Sequence, residues 1–90
     1  MENETDDDVT TLGGPVEEIA GKLTMRIPLA AGGADFIECT QGIGRVVGAD
    51  LHVVIPASLA EKLGVSAGME VVVDNRSAKF NIYPQYGETN

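Results

Sequence analysis

The chain has 90 residues, one cysteine, 43% apolar residues and a formal net charge of -8. That length sets a single domain whose core is marginal unless a second chain helps to cover it, and one cysteine excludes an internal disulfide. No apolar run approaches the roughly 20 residues of a membrane helix, and "MENETDDD" lacks the basic patch and apolar stretch of a secretory signal, so a reducing cytoplasm is the expected compartment.

The charge is unevenly placed. Residues 1–21 carry Glu2, Glu4, Asp6, Asp7, Asp8, Glu17 and Glu18 and no basic residue, whereas the acids and bases of residues 22–84 balance and Glu88 adds the last charge. The chain therefore reads as an acidic tail on a neutral body. Residues 1–14 offer only Val9 and Leu12 as larger apolar side chains after Met1, and run into "GGP"; too little apolar surface is present to offset the entropy of ordering, so a disordered tail is expected. Solubility and regulation of binding are both open roles for it.

In "KLTMRIPL", Leu23, Met25, Ile27 and Leu29 alternate with Lys22, Thr24, Arg26 and Pro28, the period-two pattern of a half-buried strand. Gly32 and Gly33 follow, then "DFIECT", which can run back as a second strand, so an N-terminal hairpin is predicted over residues 22–40. Gly42, Gly44 and Gly48 in "QGIGRVVGAD" tempt a phosphate-cradling interpretation. Their spacing is wrong for one and no helical pattern follows to present its N-terminus to an anion; a bend or bulge in a strand is the expected role.

"LHVVIP" points Leu51, Val53 and Ile55 inward, and Pro56, which lacks an amide hydrogen, ends the ladder. A short helix follows, with Pro56 at its start, Ser58 and Glu61 as a capping box, Leu59 and Leu63 on one face and Gly64 closing it. At barely two turns it must dock its leucines on a sheet. "GMEVVVD" and "AKFNIYP" then form a second predicted hairpin, with Met69, Val71 and Val73 on one face and Phe80 and Ile82 alternating with polar neighbours.

This order of breakers and apolar positions, above all "VVIPASLAEKLGVSAGMEV", resembles the AbrB, MazE and SpoVT group of swapped-hairpin barrels over residues 43–84. The resemblance implies a mainly β fold: a small barrel with one short helix, completed by an interleaved homodimer, here with an extra N-terminal hairpin. The domain then occupies residues 15–86, with 87–90 a flexible C-terminus. The implied role is a transition-state regulator or the DNA-binding half of an antitoxin, whose partners are DNA and a basic protein such as a toxin. Dimerisation is expected on physical grounds too, because four or five short strands leave more apolar edge than one chain covers.

The sequence departs from the group where the group binds DNA. A Gly-Arg pair often precedes the Ile-Pro and basic residues recur in the helix, but here Leu51 and His52 hold the pair position and the helix shows Ala60 and Glu61. Arg45 is the retained basic contact, with His52 as a weak substitute and Lys62 and Arg26 as helpers. Because phosphate contacts dominate affinity, each missing base lowers both binding and its salt dependence. A second role, as an interaction or assembly module without nucleic acid, follows from the neutral body. One His and one Cys assemble neither a catalytic set nor a metal site in one chain, so no enzyme activity, metal or cofactor is expected. Cys39 reads as a small half-buried apolar residue, and Tyr83 and Tyr86 are weak candidates for base stacking.

Finally, "TMRIPLAAG" and "HVVIPASLA" superpose at an offset of 28 residues. Either the N-terminal strand belongs to a worn copy of the later unit or strands ending in Ile-Pro recur by chance, and chance is the expectation.

Overall fold

A computed structural model describes residues 9–84. The expectations for Met1–Asp8, for Tyr86 and for the C-terminus at 87–90 lie outside the described residues.

The fold is mainly β. Strands β1 (Thr11–Pro15), β2 (Glu17–Ile19), β3 (Lys22–Pro28), β4 (Gly44–Val47), β5 (Asp50–Val54), β6 (Glu70–Asp74) and β7 (Asn81–Pro84) form two antiparallel sheets. One has the order β1-β6-β7 and the other β2-β3-β5-β4. Among the described residues a single α-helix, α1 (Ala57–Leu63), and short 3-10 turns complete it. No helix among the described residues is long and apolar enough to cross a membrane.

The inward faces are those that alternation predicts. Met25 and Ile27 of β3, Leu51 and Val53 of β5, and Val71 and Val73 of β6 are buried, joined by Val16, Phe36, Ile55, Ala60, Val65 and Ile82. Each fully buried Val, Leu or Phe contributes roughly 1.5–3 kcal/mol relative to exposure. Phe36 also meets Phe80 edge to face at 6.1 Å, the arrangement that sets the positive ring edge of one on the negative face of the other.

Three segments differ from expectation. Residues 11–14 are expected in the tail, but with Pro15 they form β1, which pairs along its whole length with β6, Thr11 opposite Asp74 and Pro15 opposite Glu70. Gly14 lies over Met25, where a Cβ would sit 3.4 Å from Met25 Cε, in ordinary contact with the end of a flexible side chain. The second difference is that residues 29–40 are not the return strand of a hairpin. They form three 3-10 turns (Leu29–Ala31, Gly33–Phe36, Glu38–Thr40) that bury Gly33, Phe36 and Thr40. Those residues recur three and four apart, a helical spacing that drives Phe36 into the core. Gly33 packs against backbone, since a Cβ there would lie 2.7 Å from the Ile27 carbonyl oxygen.

The true partners of β3 are β2 and β5. The tight hairpin is β2–β3, turning at Ala20 and Gly21, both with positive φ (55 and 80). The third difference concerns α1: Pro56 is its N-cap rather than its first helical residue, and no side chain caps it, so Ser58 and Glu61 form no capping box. Gly64 does close it in the left-handed conformation, φ 74. Leu59 and Leu63 pack partly buried against the core.

The register reveals an internal repeat. Glu17 pairs with Thr24, Glu18 with Leu23 and Ile19 with Lys22; Arg45 pairs with His52, Val46 with Leu51 and Val47 with Asp50. Each of the three pairs of the first hairpin recurs in the second displaced by 28 residues, and the second adds Gly44 opposite Val53. Across the β3–β5 seam, Thr24–Val54 and Arg26–His52 exchange under the same offset, with Met25–Val53 at the centre. The sheet order β2-β3-β5-β4 thus has an approximate two-fold axis through its middle. The offset seen in the sequence is one of structural equivalence, against the expectation of chance.

Candidate functional site

The face of the four-stranded sheet opposite Met25, Ile27, Leu51 and Val53 carries the alternate residues. On it Arg26 of β3 lies directly across from His52 of β5, and His52 directly across from Arg45 of β4. Three of the four residues singled out in the sequence therefore form one transverse row. Adjacent strands set such neighbours about 4.5–5.5 Å apart at Cβ. The fourth, Lys62, is exposed in the last turn of α1 and lies outside this row.

The row is not uniformly basic. Arg26 reaches diagonally to Glu17, whose Oε2 accepts from both Nε at 3.1 Å and Nη2 at 3.0 Å. The two side chains are 50% and 36% exposed, so water and salt screen the pair. Glu17 carries no such role in the sequence reading; its signal was "EEIAGKLTM", two short strands around a two-residue turn. Arg45 is exposed and has no ion pair or hydrogen bond among the described residues. Under the internal two-fold its counterpart is Glu17, so the repeat places an acid on one side of the sheet and a base on the other.

β4 is an edge strand, pairing with β5 alone. Two apolar residues of β4 are exposed: Val46, 50%, on the face of Leu51, and Val47, 42%, on the face of Arg45 and Asp50. Gly44 faces Thr40, whose hydroxyl donates to the Phe36 carbonyl at 2.7 Å, and a side chain at Gly44 would strike Thr40.

Other polar groups are structural. Buried Asp74 accepts from Asn81 Nδ2 at 2.9 Å and from the Arg76 backbone N–H at 3.2 Å. Burial by itself would raise its carboxyl, but these bonds, the Tyr83 hydroxyl and the Arg76 charge hold it below the usual range. The half-buried Cys39 thiol donates weakly to the Phe36 carbonyl at 3.6 Å. Burial and the neighbouring Glu38 raise its pKa. Among the described residues no three His, Cys, Asp or Glu gather as metal ligands.

No family model, curated protein or solved structure matches the chain.

Proposed function

We propose that the chain is a small nucleic-acid-binding β module that acts as a homodimer, in the manner implied by the AbrB, MazE and SpoVT resemblance of residues 43–84. The observation that carries this is the alignment of Arg26, His52 and Arg45 in one row on an open sheet face. A row of donors on a sheet face can contact successive phosphates, and Arg45, which has no ion-pair partner among the described residues, supplies the main charge. Affinity is modest, because Glu17 occupies Arg26 and few cations remain.

The dimer we propose forms across β4. The internal repeat already unites two hairpins in one sheet, and of its two edge strands among the described residues, β2 and β4, it is β4 that exposes two large apolar side chains, Val46 and Val47. Strand pairing there protects an unblunted edge and brings two Arg45 rows into one continuous surface. The role is that of a DNA-binding regulator or antitoxin-type protein, the latter with a basic toxin as partner.

The test is titration of a labelled DNA pool at low and moderate salt. Regulator status predicts salt-sensitive binding that Arg45→Ala weakens. The same apolar edge favours a second reading, an assembly module without nucleic acid; absence of binding at low salt, together with dimerisation that Val46→Lys abolishes, selects it.

A further inference from the structure

We infer that β4 pairs with β4 of a second copy about a two-fold axis at Val46, and that this brings Asp50 of each chain into the arginine row of its partner. This rests on the proposed dimer across β4 and adds its register and an ion network that only two chains complete.

The four-stranded sheet ends in β2 and β4, and the two edges differ in what already occupies them. At β2 part of the edge is engaged: Val16, the residue before it, donates its N–H to the Met69 carbonyl at 2.8 Å and accepts from the Gly68 N–H at 2.7 Å. At β4 it is open. Val47 and Asp50 close a two-residue turn and the Ile43 carbonyl accepts from the Val54 N–H at 2.8 Å, so the odd-numbered residues here bond to β5. Alternation in an antiparallel ladder then turns the N–H and carbonyl of Gly44 and Val46 outward. Neither makes a backbone bond to another segment among the described residues.

Register follows from length and charge. Residues directly opposite in an antiparallel pair share a face, so a two-fold axis between two copies of one strand passes at a residue. In the four residues Gly44–Val47 the central choices are Arg45 and Val46. An axis at Arg45 sets two arginines directly opposite each other, which is destabilising. An axis at Val46 sets that valine against its own copy and Arg45 against the partner's Val47, so the side chains that stand 50% and 42% exposed in one chain each meet the other copy. Val46, whose bonding groups point outward, exchanges both backbone bonds with its copy.

Charge completes the fit. With this register the row Arg26, His52, Arg45 continues through the partner's Val47 to the partner's Asp50. The partner's Asp50 lies two strands from Arg45, about 9.5 Å, and Asp50 of the same chain lies diagonal to Arg45 at about 7–8 Å. Neither Arg45 nor Asp50 has an ion pair among the described residues. Around the axis the four side chains alternate in sign, each arginine between two aspartates, and one chain alone supplies half of them. Salt screens such exposed charges, so this dimer loosens as salt rises.

The experiment places single cysteines at Arg45, Val46 or Val47 of the full chain in a Cys39→Ser background and oxidises them mildly, alone and in mixtures, with sedimentation of the unsubstituted chain at low and high salt. Opposite Cα atoms stand about 5.5 Å apart in a hydrogen-bonded pair and about 4.5 Å in the other kind, within disulfide range, whereas diagonal neighbours at about 7–8 Å are outside it. Val46→Cys should cross-link to itself, and Arg45→Cys mixed with Val47→Cys should cross-link about tenfold or more faster than either alone. Asp50→Lys should weaken the dimer, and mixing it with Arg45→Glu should restore association as heterodimers. A dimer that cross-links fastest at Arg45→Cys alone, or at none of the three positions, or whose Asp50→Lys chains associate as well as the parent, overturns this arrangement and leaves the proposed nucleic-acid role standing. A chain that sediments as a monomer overturns the dimer as well, and a DNA pool titrated with that monomer tests Arg45 separately. The expected cross-links in a chain that binds no DNA at low salt uphold the interface and remove the nucleic-acid role.

Discussion

Met25 and Val53 face each other across the β3–β5 seam and are also equivalents under the 28-residue repeat. Both are buried, at 2% and 0% exposure, so the axis relating the two hairpins runs through the driest part of the sheet. Met25→Ala removes contacts on that axis, including the one beneath Gly14, and leaves a cavity that the paired strands cannot easily close. The expected cost is about 2–5 kcal/mol, measured as a lower urea midpoint with an unchanged slope.

Glu17→Gln separates the electrostatics of the face from its stability. An exposed pair of this kind contributes at most about 1 kcal/mol, so the melting temperature should move little. Arg26 is released to join Arg45, and DNA binding at low salt should tighten and become more salt-dependent. A variant that binds DNA no better, with its fold intact, would remove Arg26 from the interface.

Asp74 gives the fold an acid sensitivity. Its carboxyl lies below the usual range in the folded protein, so the stability it contributes is complete above the ordinary carboxylate pKa of about 3.9 and is lost as pH falls through the folded value. Unfolding followed by circular dichroism from pH 6 to 2 should show this loss. Asp74→Ala should cost about 1–3 kcal/mol at neutral pH by removing the acceptor of the Arg76 backbone N–H and one of the three acceptors of Asn81 Nδ2, and should flatten the acid limb.

Cys39 should be a slow nucleophile. Its thiol is raised by burial and by Glu38, which keeps it protonated at neutral pH, and the thiolate is the reactive form. Iodoacetamide at pH 7.5 should label the native chain well below the rate for the urea-unfolded chain; equal rates would mean that the segment 38–40 opens freely.

Much of this was legible in the residues and some was not. Strict alternation marked β3 and β5, and Gly64 marked the end of α1, because burial on one face and a left-handed cap each demand specific residue types. "DFIECT" misled because one buried Phe and one buried Thr four apart carry too little pattern to separate a strand from tight turns. β1 was hidden by Gly13 and Gly14, which look like loop residues and carry no side chains to show alternation. The row of Arg26, His52 and Arg45 depends on strand order, which no local pattern encodes; Glu17 as a partner depends on a two-residue turn whose Ala20 is an unusual choice at positive φ.

Val16 is all the chain between β1 in one sheet and β2 in the other, and it is held at 2.8 Å to Met69 and 2.7 Å to Gly68. Since β1 pairs with β6 and Thr10 bonds Asn75 across 65 positions, β1 waits for a strand synthesised much later before it can dock. Such a long-range closure is slow. The four-stranded sheet can assemble first, with Val16 serving as the hinge on which β1 finally shuts.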